Sequence, residues 1–180
     1  MSDRRPVTEE APSYGDAVLI IGAYGSGKSS IAMEIAAIIE ERPLPYALLD
    51  LDFLGWYGTP TSDSHTDPSV LLRNLSAVVA NYADVGVRYF ILAGTISAAA
   101  EVRGIRETLP VPLRVVRLTL SLEETARRLG ADPTSGRAND LRQAAAQIAS
   151  ALGAGLDDLT VSNDRPLREV ASAIVSWLAW

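Results

Sequence analysis

Gly22-Ala23-Tyr24-Gly25-Ser26-Gly27-Lys28-Ser29 fills every position of the pattern G-x-x-x-x-G-K-[ST], and no other stretch of the chain restricts the fold so tightly. Glycines at these places allow positive φ and a tight turn, so that successive N–H groups converge on one phosphate instead of pairing with a neighbouring strand. Lys28 then supplies a point charge along the β/γ-phosphates, and Ser29 a hydroxyl for Mg²⁺. The N-terminus of the following helix adds partial positive charge. Such a loop needs a strand before it and a helix after it. Both are legible: Val18-Leu19-Ile20-Ile21 is branched and bulky, and Ile31, Ile35, Ile38 and Ile39 recur at helical spacing. Nucleotide binding is the working expectation, with Gly22, Ala23, Tyr24, Gly25, Ser26, Gly27, Lys28, Ser29 and Ser30 as the cradle.

Composition removes several other functions. The 180 residues, 48% hydrophobic and 21% charged, suffice for one well-buried core and are few for two. A formal net charge of −6 argues against a broad grip on nucleic acid or on an anionic membrane. The absence of cysteine excludes disulfides, thiolate nucleophiles and Cys-ligated zinc, and His65 is the only histidine. No apolar run approaches the roughly 20 residues that span a bilayer, and Met1 to Pro6 are not followed by a signal-type apolar core, so a cytoplasmic protein is expected.

Along the chain, residues 1–15 read as a flexible tail and 16–180 as one domain. The first strand runs from Asp16 to Ile21 and the first helix from Ser29 to Glu41, ended by Pro43 and Pro45. A second strand, Tyr46 to Leu49, leads into Asp50-Leu51-Asp52, and Phe53 to Asp67 reads as a long loop. Asp67-Pro68 opens a helix with Val70, Leu71, Leu75, Val78 and Val79 on one face. Val87 to Ala93 is a third strand, closed by Gly94-Thr95. Ser97 caps a helix through Leu109, and Leu113 to Leu120 is the fourth strand. Ser121 and Glu124 form a capping box for a helix to Leu129. Residues 130–138 read as loop, and Asn139 to Leu152 as an alanine-rich helix. Leu159 to Val161 is the last strand, and a helix from Pro166 places Leu167, Val170, Ile174 and Leu178 on one side. Strands that alternate with helical crossovers predict a parallel sheet with helices on both faces and ligands at the carboxyl ends of the strands.

Asp50 and Asp52, two apart at a strand end, point the same way if the extended geometry persists. Mg²⁺ and a nucleotide need a carboxylate nearby, and transfer to a hydroxyl benefits from a base beside it. Asp52 is accordingly assigned to substrate and Asp50 to magnesium or to structure; the alternative is that both end the strand and cap a turn.

The phosphate loop, the Asp-x-Asp, an arginine-bearing helix after the fourth strand, a glycine-rich loop and a last strand leading to Arg165-Pro166-Leu167 resemble the small-molecule P-loop kinases. Gluconate kinase, shikimate kinase and chloramphenicol phosphotransferase are the comparisons. The resemblance covers about residues 16 to 178 and implies a three-layer α/β P-loop fold, a five-stranded parallel sheet with the P-loop strand in its middle, and a mobile lid around 130–138. It implies ATP and Mg²⁺ as cofactors and a small-molecule acceptor as partner, in a monomer or homodimer. Residue by residue, Asp52 matches the acid at the acceptor hydroxyl and Asp50 the acid near Mg²⁺. Arg127 or Arg128 matches the arginine entering the lid, and Arg137 lies within it. Asn163, Arg165 and Pro166 fall where the adenine passes, and Arg103 and Arg106 in a segment that carries substrate-facing basic residues.

The chain also departs from that pattern. Its third strand ends in Ala93-Gly94-Thr95 without an acid, Asn-Lys-x-Asp and Leu-Ser-Gly-Gly-Gln are absent, and nothing around Trp56, Tyr57 and His65 matches a known acceptor pocket. A nucleotide-binding regulatory protein or a simple ATPase is therefore the alternative, because fold does not imply function. Trp177-Leu178-Ala179-Trp180 is expected to serve either core or interface.

Overall fold

A strand that is apolar on both faces has to be covered on both, and β1 (Asp16–Gly22) meets this demand from the middle of the sheet. The computed structural model describes residues 15–59, 67–131 and 138–180. After β1 come α1 (Lys28–Glu40), β2 (Tyr46–Asp50), α2 (Leu51–Leu54), α3 (Pro68–Asp84), β3 (Tyr89–Ala93) and α4 (Ala99–Thr108). β4 (Leu113–Thr119), α5 (Leu122–Ala131), α6 (Ala138–Ala149), β5 (Leu159–Ser162) and α7 (Leu167–Leu178) complete the order. The five strands lie in the order β2-β3-β1-β4-β5, and every pairing is parallel.

Side-chain alternation along β1 divides the core. Val18 and Ile20 face a cluster with Ile31 and Ile35 of α1 and Val170 and Ile174 of α7. Ala17, Leu19 and Ile21 face the opposite cluster, with Leu75 and Val79 of α3 and Val102 and Ile105 of α4. The result is the expected three-layer P-loop fold, with the loop at the carboxyl edge of the central strand.

Most expected elements stand within a few residues of their reading, and four local readings are corrected. Phe53 and Leu54 are not loop: Asp50 accepts a hydrogen bond from the Asp52 N–H at 3.0 Å and so starts the short helix α2 at Leu51. Ser97 does not cap α4; the Glu101 carboxylate reaches back to the N–H groups of Ser97 and Ala98 at 2.9 and 2.8 Å. Only half of the capping box before α5 forms. The Ser121 hydroxyl accepts from the Glu124 N–H at 3.2 Å, while the Glu124 carboxylate turns to Arg127 and Arg128. Leu167 is exposed, although Val170, Ile174 and Leu178 are buried as expected. Asp67 does cap α3, accepting from the Ser69 N–H at 2.7 Å with Pro68 in the first turn.

Trp177 and Trp180 pack against the core cluster on the α1/α7 side. Trp180 meets Tyr89 edge-on at 5.3 Å and donates its indole N–H to Asp16, while the Arg114 guanidinium lies 5.1 Å over Trp177 and pairs with Asp16. These aromatics thus brace the amino ends of β1 and β4. No helix among the described residues is long and apolar enough to cross a membrane. Residues 1–14, His65 and most of the lid-like loop, Arg137 included, lie outside the described residues.

Ile35 is fully buried between α1, the sheet and α7. Ile35→Ala is expected to lower stability by about 2–5 kcal/mol, read from urea unfolding followed by circular dichroism; a loss under about 0.5 kcal/mol would contradict this packing.

Candidate active site

The loop between β1 and α1 can turn only because of its glycines. Gly22 has φ +151°, and a Cβ there would come within 2.6 Å of the Leu118 carbonyl oxygen. Gly27 has φ +90°, and its Cβ would lie 2.5 Å from Nδ2 of Asn163. Backbone and neighbour together leave room for no side chain at either place. The first-turn N–H groups of α1 have no intrahelical acceptor and open towards the same concavity.

Two side chains from far along the chain hold this loop. Asn163, just after β5, is fully buried and donates from Nδ2 to the Ser26 carbonyl at 2.8 Å. Its own N–H donates to Thr119, and its carbonyl accepts from Arg128 at 2.7 Å. Asn163 therefore belongs to the wall of the loop, and its backbone N–H and carbonyl are both hydrogen-bonded within the protein. Gln147 of α6 reaches the loop from the other side, where Oε1 accepts from the Tyr24 N–H at 2.6 Å.

Lys28 is buried, with Nζ 3.3 Å from the Ala23 carbonyl oxygen. Burial pushes the Lys28 ammonium below its ordinary pKa, and the charges of Asp52 and Asp50 oppose that shift. Both carboxylates thus lie in the field of the loop lysine. They do not share one face, however. Because Asp50 caps α2, the extended geometry ends there and the two side chains diverge. Asp50 Oδ2 accepts from the Ser29 hydroxyl at 2.8 Å. Asp52 turns to the end of β3, where Oδ1 accepts from the Thr95 N–H at 2.9 Å and Oδ2 from the Thr95 hydroxyl at 3.1 Å.

The two arginines near the end of α5 are placed differently. Arg127 points into solvent and pairs with Glu124 at 2.6 Å. Arg128 also pairs with Glu124, at 2.8 Å, but lies against the loop, and with Gly25, Gly27, Ser30, Arg165 and Pro166 it lines an open hollow. Hydrogen bonds from Arg127 and Arg128 pull the Glu124 carboxyl down to about 2. A carboxylate depressed in this way anchors Arg128 above its unfolded pKa and releases it only as pH falls through the folded value. Arg103 and Arg106 are exposed on α4, and Trp56 is exposed after α2.

A cavity of about 330 Å³ opens beside Asp52, walled by Leu51, by Leu71 and Leu72 of α3, and by Ile96 and Ile105. The sequence places Gly94-Thr95 at a strand end with the phosphate loop and Asp50/Asp52, but does not single out Glu101, Gln143 or Gln147. Thr95, Glu101 and Gln143 line this cavity, and Gln147 acts across 123 positions of chain. The pair Ser29/Asp50 supplies a hydroxyl and one carboxylate, a donor set that suits Mg²⁺ held jointly with phosphates; no cluster of three metal-binding side chains occurs among the described residues.

No family model matches the sequence, and no curated protein matches it. Solved structures do. A sugar kinase from Janibacter sp. HTCC2649 aligns with a TM-score of 0.65 at 22% identity over 92% of this chain and 95% of its own. A gluconokinase from Sinorhizobium meliloti 1021 aligns with a TM-score of 0.63 at 20% identity over 92% and 93%. The APS kinase of Mycobacterium tuberculosis, in complex with AMPPNP and APS, gives 0.59 at 20% over 94% and 100%. The fold is that of the P-loop small-molecule kinases.

Asn163→Ala removes the donor to the buried Ser26 carbonyl and is expected to cost about 1–3 kcal/mol, read as a lowered midpoint in calorimetric unfolding. An unchanged midpoint would mean that Ser26 finds another donor.

Proposed function

We propose that this chain is an ATP-dependent phosphotransferase that moves the γ-phosphoryl group of ATP to a hydroxyl of a small molecule. The observation that carries this reading is Asp52: its carboxylate is held by Thr95 at the boundary between the phosphate loop and the cavity of about 330 Å³. A protein that only bound nucleotide would not need a solvent-accessible carboxylate there. Likeness in fold to a sugar kinase, a gluconokinase and an APS kinase whose structure holds AMPPNP and APS supports the same reading.

The roles follow from position. Loop N–H groups and Nζ of Lys28 hold the phosphates, and Arg128 adds a planar cation at the loop. Ser29 and Asp50 would hold Mg²⁺. When bound, the ion supplies charge that offsets the phosphate oxygens and orients them. Each Asp52 oxygen accepts one hydrogen bond from Thr95 and keeps further lone-pair capacity for an acceptor hydroxyl. The acceptor oxygen forms the new bond to phosphorus, the bond from phosphorus to the ADP oxygen breaks, and the hydroxyl proton passes to the Asp52 carboxylate. Arg165 and Pro166, which line one hollow with Gly25 and Gly27, would flank the nucleotide base.

Lys28→Ala is expected to lower turnover by about 10²–10³ and to weaken nucleotide binding. Asp52→Asn, nearly isosteric, is expected to lower it by about 10²–10⁴ while AMPPNP affinity stays close to that of the unaltered chain. Acceptor-dependent ADP release in a coupled assay, paired with titration calorimetry, reads both. Undiminished turnover in Lys28→Ala would overturn the nucleotide site, and in Asp52→Asn it would leave the carboxylate a structural role.

A further inference from the structure

The cavity beside Asp52 has a charge pattern that selects among acceptors. Its apolar walls are contributed by α2, α3 and α4, and its polar groups are the carboxylates of Asp52, Asp67 and Glu101 with Thr95 and Gln143. Among the described residues no lysine or arginine lines it. Lys28 lies at the phosphate loop, with Nζ on the Ala23 carbonyl. Arg73 donates to the Ser69 hydroxyl at 3.4 Å on the exposed side of α3, and Arg103 and Arg106 are exposed on α4.

All three carboxylates accept hydrogen bonds: Asp67 from the Ser69 N–H at 2.7 Å, Glu101 from the Ser97 and Ala98 N–H groups and the Ser97 hydroxyl, and Asp52 from Thr95. Those from Ser69 hold the Asp67 carboxyl below its ordinary pKa. An acceptor with a carboxylate or phosphate would leave water for a partly apolar hollow and meet acidic side chains with no cation among the described lining residues to pair with it, which makes its binding unfavourable. A ring or alkyl body fits the same walls without that cost. Leu72 packs closely on Gly104, its Cδ1 2.9 Å from where a Cβ on that glycine would be.

We infer that the acceptor is an alcohol with an apolar body and no negative charge, either neutral or cationic. This rests on the phosphotransferase reading and assigns the acceptor's chemistry at that site.

The test compares two panels on the full chain with ATP and Mg²⁺, with Lys28→Ala as the blank. One panel holds gluconate, shikimate and glycerol 3-phosphate. The other holds neutral and cationic alcohols of similar size, namely aryl glycosides, phenylethanolamines and amino sugars. At least one member of the second panel is expected to stimulate ADP release about tenfold or more, and no member of the first by more than about twofold. Leu72→Trp, which fills the cavity, is expected to abolish that stimulation while AMPPNP affinity stays within about twofold. If that variant does not fold, the panels on the unaltered chain decide. Stimulation by the anionic panel alone would overturn the acceptor class and leave the phosphotransferase reading standing. No stimulation by either panel, with AMPPNP still bound, would overturn both.

Discussion

A loop that aims its N–H groups at a ligand must find donors for its carbonyls inside the protein, and the whole site depends on how that demand is met. The Ser26 carbonyl is turned into the fold, and the buried amide of Asn163 reaches it at 2.8 Å. Asn163 can do so because β5 lies at the far side of β4 and ends level with the loop, which in turn requires β1 at the centre of a parallel sheet. Arg128 joins the same unit through the Asn163 carbonyl. Two hydrogen bonds meeting at Asn163 therefore couple the phosphate cradle, the last strand and the cation on α5. Gly22 and Gly27, at the two ends of the loop, are places where the surrounding structure leaves no room for a side chain.

The acids are placed by a second local event. An aspartate at the end of a strand either continues the strand or caps the next helix, and Asp50 caps. That choice turns Asp52 away from Asp50 and towards Thr95, so one carboxylate stays with Ser29 and the other stands over the cavity. Had the extended geometry persisted, both would have crowded one face. The absence of an acid at the end of β3 then has a physical counterpart: the position is taken by Thr95, whose hydroxyl and N–H orient an acid from the short helix that follows the neighbouring strand.

Legibility tracks the range of the forces involved. Strands, helices and the phosphate loop are written in nearest-neighbour terms: β-branched runs, a 3.6-residue period, proline and glycine at breaks. Those readings hold within a few residues, and β1, β3 and α3 are examples. The start of α2 is hidden because Asp-Leu-Asp suits a strand end and a helix cap equally well. Gln147 and Asn163 are out of reach as loop supports because each acts across more than a hundred positions, and a glutamine in an alanine-rich helix carries no sign of its target. The cavity beside Asp52 is likewise assembled from four helices between Leu51 and Gln143. Only packing brings those walls together, which is why the phosphate loop is legible in the sequence and the cavity is not.

In the proposed reaction, phosphorus is passed to a hydroxyl held beside Asp52. The most direct measurement is the fate of the γ-phosphoryl group, followed by ³¹P NMR with ATP, Mg²⁺ and an acceptor that stimulates turnover. A new phosphomonoester resonance is expected to rise in step with ADP, and to be lost in Asp52→Asn. Inorganic phosphate as the sole product, at a rate indifferent to the acceptor, would contradict the transfer.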